Sequence, residues 1–266
     1  MVQAPADVWA SAAAYEPYVG RWSRLVAREI LTWLGVPPRA TWLDVGCGTG
    51  ALAETVVAMA SAGRVLAVDA SAAYVAYARA SIADPRASFA VADARALPCA
   101  TGCVDAVASG LVLNFVPGPE LAVAEMTRVA RPGGAVAAYV WDYAEGMQMM
   151  RLFWDAAVAE DPAAGALDEG RRFPLCHPDA LTALWRRAGL REVACRPLQV
   201  PTSFASFDEY WAPFLGGQGP APSYVTSLTD EGRSRLRERV RTLLPTAPDG
   251  TIALTARAWA VRGVRG

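Results

Sequence analysis

Lysine is missing from this 266-residue chain, and histidine occurs once, as His177. All 25 basic residues are therefore arginine, and 26 acidic residues leave a net charge of −1. That balance gives no global pull toward nucleic acid. Together with the abundant alanine, the missing lysine reads as a coding bias rather than a functional signal. The five cysteines, Cys47, Cys99, Cys103, Cys176 and Cys195, lack the two-residue spacing of a zinc pair. Cys99 and Cys103 stand four apart with no second pair to complete four ligands, so no metal is expected. An odd cysteine count without a signal-peptide pattern predicts a reducing, cytoplasmic setting. No apolar run reaches the length of a membrane span, so no membrane partner is expected. Internal repeats and low-complexity tracts are also lacking.

What the chain does have is apolar content. Hydrophobic residues make up 53% of it, enough for a sizeable core. The length fits one large domain, or one domain with a lid. Within it, Leu43-Asp44-Val45-Gly46-Cys47-Gly48-Thr49-Gly50 is the most informative stretch. An apolar run ends in an acid, glycines alternate with small residues, and Ala51-Leu52-Ala53-Glu54 starts a helical pattern. A glycine-rich turn between strand and helix lets a nucleotide-like cofactor lie against bare backbone and a helix N-terminus. Two further apolar runs also end in acids. Arg64 to Asp69 leads to Ser71, which caps a helical stretch, and Ser88 to Asp93 leads to Ala94. Ligands of open α/β sheets bind outside the carboxyl ends of the strands. The competing reading is that each acid only caps its own turn.

Gly46, Gly48 and Ala51, with Asp69 downstream, also satisfy a dinucleotide pattern. Asp44 and Gly50 extend the pattern to D-x-G-x-G-x-G, which resembles motif I of the class I S-adenosylmethionine (SAM) dependent methyltransferases. The resemblance spans about residues 41–142. It continues through a fourth strand at Val104–Ser109, a loop Gly110–Phe115, a helix Glu120–Val129, a turn Arg131-Pro132-Gly133-Gly134 and a fifth strand ending at Trp141. It implies an α/β fold: a doubly wound seven-stranded sheet, mostly parallel with an antiparallel C-terminal strand. Helices would cover both faces.

The same resemblance implies that Asp44, Gly46, Cys47, Gly48 and Gly50 pass the methionine part of SAM. Asp69, with Ala70 and Ser71, would take the ribose hydroxyls. Asp93 would face the adenine amino group, with the amide of Ala94 on the ring. Ser109 and Asn114 would lie beside the transferred methyl, with S-adenosylhomocysteine as product. The sulfonium and amino groups of SAM are cationic, which makes a carboxylate at the first strand end chemically sensible.

On either side the resemblance weakens. Residues 1–40 read as a cofactor lid and helix. Trp22, Leu25, Val26, Ile30, Trp33 and Leu34 share one helix face, preceded by Tyr15, Tyr18 and Arg21. Arg21 is expected to fork onto the SAM carboxylate, with either tyrosine near the methionine; its rival role is a bridge to a surface acid. Past residue 142, a helix and two strands are expected within 179–201 and 250–266. Segments 143–178 and 202–249 are left as acceptor lids. Their aromatic and methionine content suits an apolar pocket, with Asn114, Phe115, Trp141, Phe173, Trp211 and Phe214 as candidate pocket residues. Packed core is the competing reading, favoured for Phe153 and Trp154. Residues 228–244 read as a helix whose arginines form a solvated face.

Methyl transfer is in-line displacement, so holding the acceptor is the main task. A hydroxyl acceptor needs a general base, an amine or acidic carbon less so. His177 is the natural base, with Asp142 and Tyr143 as other polar candidates; a surface histidine before Pro178 is the rival role. The missing Asn/Asp-Pro-Pro-Tyr motif argues against adenine- and glutamine-amino methyltransferases. The expected function is SAM-dependent methyl transfer to a small, partly apolar metabolite. Two alternatives stay open: a nicotinamide-dependent oxidoreductase, and a SAM-binding protein that transfers nothing.

Overall fold

The structure is a computed structural model that describes residues 16–216 and 219–266. Its centre is a seven-stranded sheet of order β3-β2-β1-β4-β5-β7-β6. The strands are β1 Thr41–Val45, β2 Arg64–Asp69, β3 Ala87–Val91, β4 Val104–Gly110, β5 Ala130–Trp141, β6 Arg191–Phe204 and β7 Ile252–Val264. Strands β1 to β5 pair in parallel. Strand β7 pairs antiparallel with both β5 and β6, so it alone runs against the others. The chain runs outward from β1 through β2 to β3, then crosses to β4 and β5. That reversal between β1 and β4 is the crevice where a doubly wound sheet binds ligands.

Parallel strands buried on both faces need apolar side chains on both, and the core divides accordingly. Trp42, Val65, Ala67, Ala106, Ala108, Ala137 and Tyr139 face one side. Leu43, Val45, Val68, Val107, Val136, Ala138 and Val140 face the other. The first face is covered by α1 Arg21–Leu34, α2 Ala51–Met59 and α3 Ala72–Ser81. The second is covered by α4 Pro119–Val129 and, after α5 Gln148–Glu160, by α6 Pro178–Arg187. Helix α1 buries Trp22, Ser23, Val26, Ala27, Ile30 and Leu31 and stops where Gly35 turns left-handed at φ 59°. Ser71 caps α3, its hydroxyl accepting from the amide of Tyr74 at 3.4 Å.

Two details differ from the sequence reading. The Pro-Gly-Gly turn lies within β5, where the register to β4 shifts between Val104 and Ala106. Gly133 and Gly134 also exchange hydrogen bonds with Arg265 beyond β7, so the predicted turn becomes a bulge inside a ladder. The second difference concerns the residues after β5. Helix α5 packs with α7 Pro220–Ser227 and α8 Asp230–Leu243 into a helical cap continuous with the first core face. Arg233, Arg235, Arg237, Arg239 and Arg241 of α8 each pair with an acid.

Candidate active site

A cavity of about 290 Å³ opens at the carboxyl ends of β1, β2, β4 and β5, at the reversal point. Its floor is the glycine loop, with Asp44, Gly46, Cys47, Gly48 and Thr49 lining it. Gly46 has φ 77°, and an added Cβ would come within 2.6 Å of a Val112 methyl. Gly48, at φ 51°, faces open space in which a ligand could meet bare backbone. Gly50 lies outside the lining residues; it starts α2 at φ 92° and packs on Ile82.

Asp69 organises the loop. One carboxylate oxygen accepts from the Gly48 amide at 2.9 Å, and the other from the Ser71 amide at 2.8 Å. Burial raises its pKa, and those two amides lower it. Asp44 is different. It is 2% exposed, and neither oxygen has a hydrogen-bond partner among the described residues. Burial pushes its carboxyl up to about 8, the Ala53 amide opposing and the Asp69 charge reinforcing. A buried, unpaired carboxyl at a cavity floor is a place for a cation. Burial, with both acids, also pushes the Cys47 thiol far up, which excludes it as a ready nucleophile.

The opposite wall is apolar and aromatic: Leu111, Val112, Phe115, Tyr139, Trp141 and Tyr143. Leu111 carries a backbone φ of 63°, unusual for a branched side chain, and its amide donates to the Tyr139 carbonyl at 2.7 Å. Gly110 leaves room for the Tyr139 ring: an added Cβ would collide with the phenol. Phe173 stacks edge-on behind Phe115, with centroids 5.1 Å apart. Val19 and Ser23, at the start of α1, close one side.

A model of the methyltransferase domain family matches residues 43–138. Over 179 residues the chain is 32% identical to demethylmenaquinone methyltransferase of Roseiflexus castenholzii, covering 61% of this chain and 73% of that one. The chain belongs to the class I SAM-dependent methyltransferases. It is also 29% identical over 191 residues to the ubiquinone/menaquinone biosynthesis C-methyltransferase UbiE of Acidiphilium cryptum, spanning 66% of this chain and 76% of that one. In fold it resembles Haemonchus contortus phosphoethanolamine N-methyltransferase 2, solved with SAM, at TM-score 0.59 and 16% identity. That match covers 96% of this chain and 57% of the other. The dinucleotide reading of the glycine loop is thereby set aside, and the cofactor is SAM.

The residues of this methyltransferase fit that cofactor: an open glycine backbone, a carboxylate at the end of β2, and a buried acid without a hydrogen-bond partner among the described residues. Of the expected cofactor residues, the structure gathers Asp44, Gly46, Cys47, Gly48, Asp69, Ala70 and Ser71 around the cavity. Others lie elsewhere. Tyr15 falls outside the described residues. Tyr18 is buried against Phe214, and its hydroxyl donates to the Met150 sulfur at 3.1 Å. Arg21 pairs with Glu209 at 2.7 Å and lies over the rings of Trp22 and Phe204, away from the cavity, which matches its rival role. Asp93 is held by Arg95 at 2.7 Å, an exposed local pair, and neither it nor Ala94 lines the cavity. Ser109 and Asn114 sit just behind the wall. The Ser109 hydroxyl and the Asn114 Oδ1 are buried without partners among the described residues, while the Asn114 amide approaches Cys176 Sγ at 3.6 Å.

The acceptor-side expectations need more correction. His177 is exposed at the N-terminus of α6, the rival role, and does not reach the cavity. Asp142 is buried in structural bonding: it accepts from Arg257 at 2.6 Å and from the Glu145 amide at 2.9 Å. Of the three polar candidates, Tyr143 alone lines the cavity. Trp211 and Phe214 are packed core. Phe214 is fully buried and stacks on Phe153 at 4.4 Å, and Trp211 lies 5.8 Å from Phe214. Sequence reasoning did not single out Tyr74 and Tyr139 as lining residues, whereas Leu111 and Val112 belong to the Gly110–Phe115 loop that the resemblance puts beside the transferred methyl. Tyr139 had a usable signal: it sits two residues before Trp141 on the same strand face.

Proposed function

We propose that this methyltransferase transfers a methyl group to a small, partly apolar metabolite held against Leu111, Phe115, Tyr139, Trp141 and Tyr143. The observation that carries the reading is the two-sided cavity: a polar glycine floor with Asp44 and Asp69, facing an apolar aromatic wall. SAM, when bound, supplies a methyl on a positively charged sulfur. Asp69 would hold the ribose hydroxyls, and Asp44 would offset the cationic charge. The wall would orient the acceptor and exclude water, and that positioning lowers the barrier. Among the described residues, no histidine and no arginine lines the cavity. An acceptor that brings its own nucleophile, such as an acidic carbon or an amine, suits such a wall better than an unactivated hydroxyl. The Acidiphilium cryptum relative is named a C-methyltransferase, which is consistent with carbon as the methylated atom.

Calorimetric titration with SAM, S-adenosylhomocysteine and NAD tests the cofactor half. Both adenosyl ligands are expected to bind and NAD is not, with Asp69→Ala weakening both. An acceptor screen with labelled SAM tests the other half. Tight SAM binding with no transfer to any apolar acceptor would move the protein to a non-transferring role.

A further inference from the structure

The five cysteines separate by exposure and by company. Cys47 and Cys176 are buried, and burial pushes the Cys176 thiol up to about 12 and the Cys47 thiol further. Cys195 is half-buried beside Thr182. Cys103 is exposed and Cys99 half-buried, and these two meet: their side chains share a hydrogen bond. The chain between them builds that meeting. Ala100, Thr101 and Gly102 form a turn in which Gly102 takes a left-handed φ of 69°. Both ends of the turn are fastened to the end of α4. The Cys103 amide donates to the Val129 carbonyl at 2.9 Å, and the Gly102 amide to the Arg128 carbonyl at 3.0 Å. The Arg128 guanidinium donates to the Cys99 carbonyl at 2.8 Å. A turn pinned at both ends holds the two side chains in convergence, which is the geometric condition for a bridge. Burial and the Cys103 neighbour push the Cys99 thiol up, and the Arg128 charge beside both sulfurs opposes them.

We infer that Cys99 and Cys103 are a dithiol modification site, which small-molecule disulfides oxidise to an intramolecular bridge. The exposed Cys103 attacks first, as its thiolate. It bonds to one sulfur of the incoming disulfide, whose S–S bond breaks and releases one thiolate. Cys99 gives up its proton, attacks the Cys103 sulfur and expels the second thiolate. Two cysteine thiols are oxidised to one disulfide, and the incoming disulfide is reduced to two thiols, which take up the two protons. Neither cysteine lines the cavity, and the turn stands at the amino end of β4, opposite the glycine floor. Closure of the bridge therefore requires nothing of the methyl-transfer reading.

The test uses the full chain, reduced and freed of reductant, with glutathione disulfide as the probe. Remaining thiols are blocked with iodoacetamide in denaturant, and tryptic peptides are measured by mass spectrometry. Both cysteines fall in one peptide, Ala96–Arg128, because no arginine or lysine lies between Arg95 and Arg128. We expect that peptide to be lighter by two hydrogens, to carry neither label nor glutathione, and to be restored by dithiothreitol. It should form at least about tenfold faster than glutathione reaches Cys195, the other partly exposed thiol. Cys99→Ser should instead trap glutathione on Cys103, and Cys103→Ser should slow modification of Cys99 about tenfold. Thiols that both stay free, glutathione held on wild-type Cys103 without closure, or a bridge between two chains would each overturn the assignment. So would modification of Cys195 at the same rate.

Discussion

Two aromatic groups sit a short distance apart in this molecule and do different work. Phe115, Tyr139, Trp141 and Tyr143 form a cavity wall beside the glycine loop. Phe153, Trp211, Phe214 and Tyr18 form the centre of the helical cap, stacked ring on ring. Composition does not tell them apart. Attachment does: the wall residues ride on β5 and on the loop after β4, at strand ends whose other faces are already packed. The cap residues come from α5, the segment before α7 and the turn before α1, outside the parallel strands, and they bury their rings largely on each other. An aromatic at a strand end beside a glycine loop is therefore a better pocket marker than an aromatic cluster in an insertion.

The largest effect that would test this contrast is on stability. Phe214→Ala removes a fully buried ring and should cost about 3–5 kcal/mol in denaturant unfolding. Phe115→Ala, only half-buried, should cost about 1 kcal/mol, while raising the acceptor KM about tenfold. Equal stability losses would show that wall and cap are one packed core. The glycine floor comes next. Gly46→Ala forces a side chain at φ 77° against Val112; strain of about 2–4 kcal/mol should weaken SAM binding at least thirtyfold by calorimetry. Unchanged SAM affinity would mean that the loop is not the floor of the cofactor site.

The three acids at strand ends show what a single sequence can and cannot reveal. Asp44, Asp69 and Asp93 occupy equivalent positions after apolar runs, and the first two sit at the cavity as expected. Asp93 has Arg95 two residues on, and a local pair across a short turn holds it at the surface. Strand positions, the α1 and α3 starts and the glycine loop were legible because period, capping and turn chemistry are local. Arg21 was not, because its partner Glu209 lies far along the chain. His177 and Asp142 were not, because reaching the cavity depends on how 143–178 folds over β5. Trp211 and Phe214 were misread for the same reason: nothing local distinguishes a lid from a cap that packs on itself.

Asp44 and Asp69 invite a finer separation by pH. Asp44, raised to about 8, holds a proton in the unliganded protein at neutral pH, whereas the rise that burial gives Asp69 is opposed by two amides. A raised carboxyl stabilises the unliganded fold below the unfolded pKa, and that contribution is lost as pH rises through about 8. A cationic ligand reverses the preference and drives the proton off. SAM affinity should therefore climb between pH 6 and 8, by at most about tenfold per unit, and then level. Calorimetry in buffers of different ionisation enthalpy should register proton release, and Asp44→Asn should abolish both effects. A flat pH profile in the wild type would show that no cation approaches Asp44.

The smallest expected effect lies farthest from the cavity. His177 has the right chemistry for a general base, yet it sits exposed where α6 begins, with its carbonyl accepting from the Leu181 amide at 3.2 Å. Its backbone is in the extended region typical of a residue that starts a helix, and its side chain makes no capping bond. His177→Ala should change turnover less than about twofold, because a base must come within hydrogen-bond reach of the proton it takes. The comparison that sharpens this is Tyr143→Phe, at the cavity wall. If Tyr143→Phe slows the reaction and His177→Ala does not, the acceptor is handled by the wall alone. A hundredfold loss in His177→Ala would require the segment around α6 to close onto the cavity during turnover, and the separation of wall from periphery would have to be redrawn.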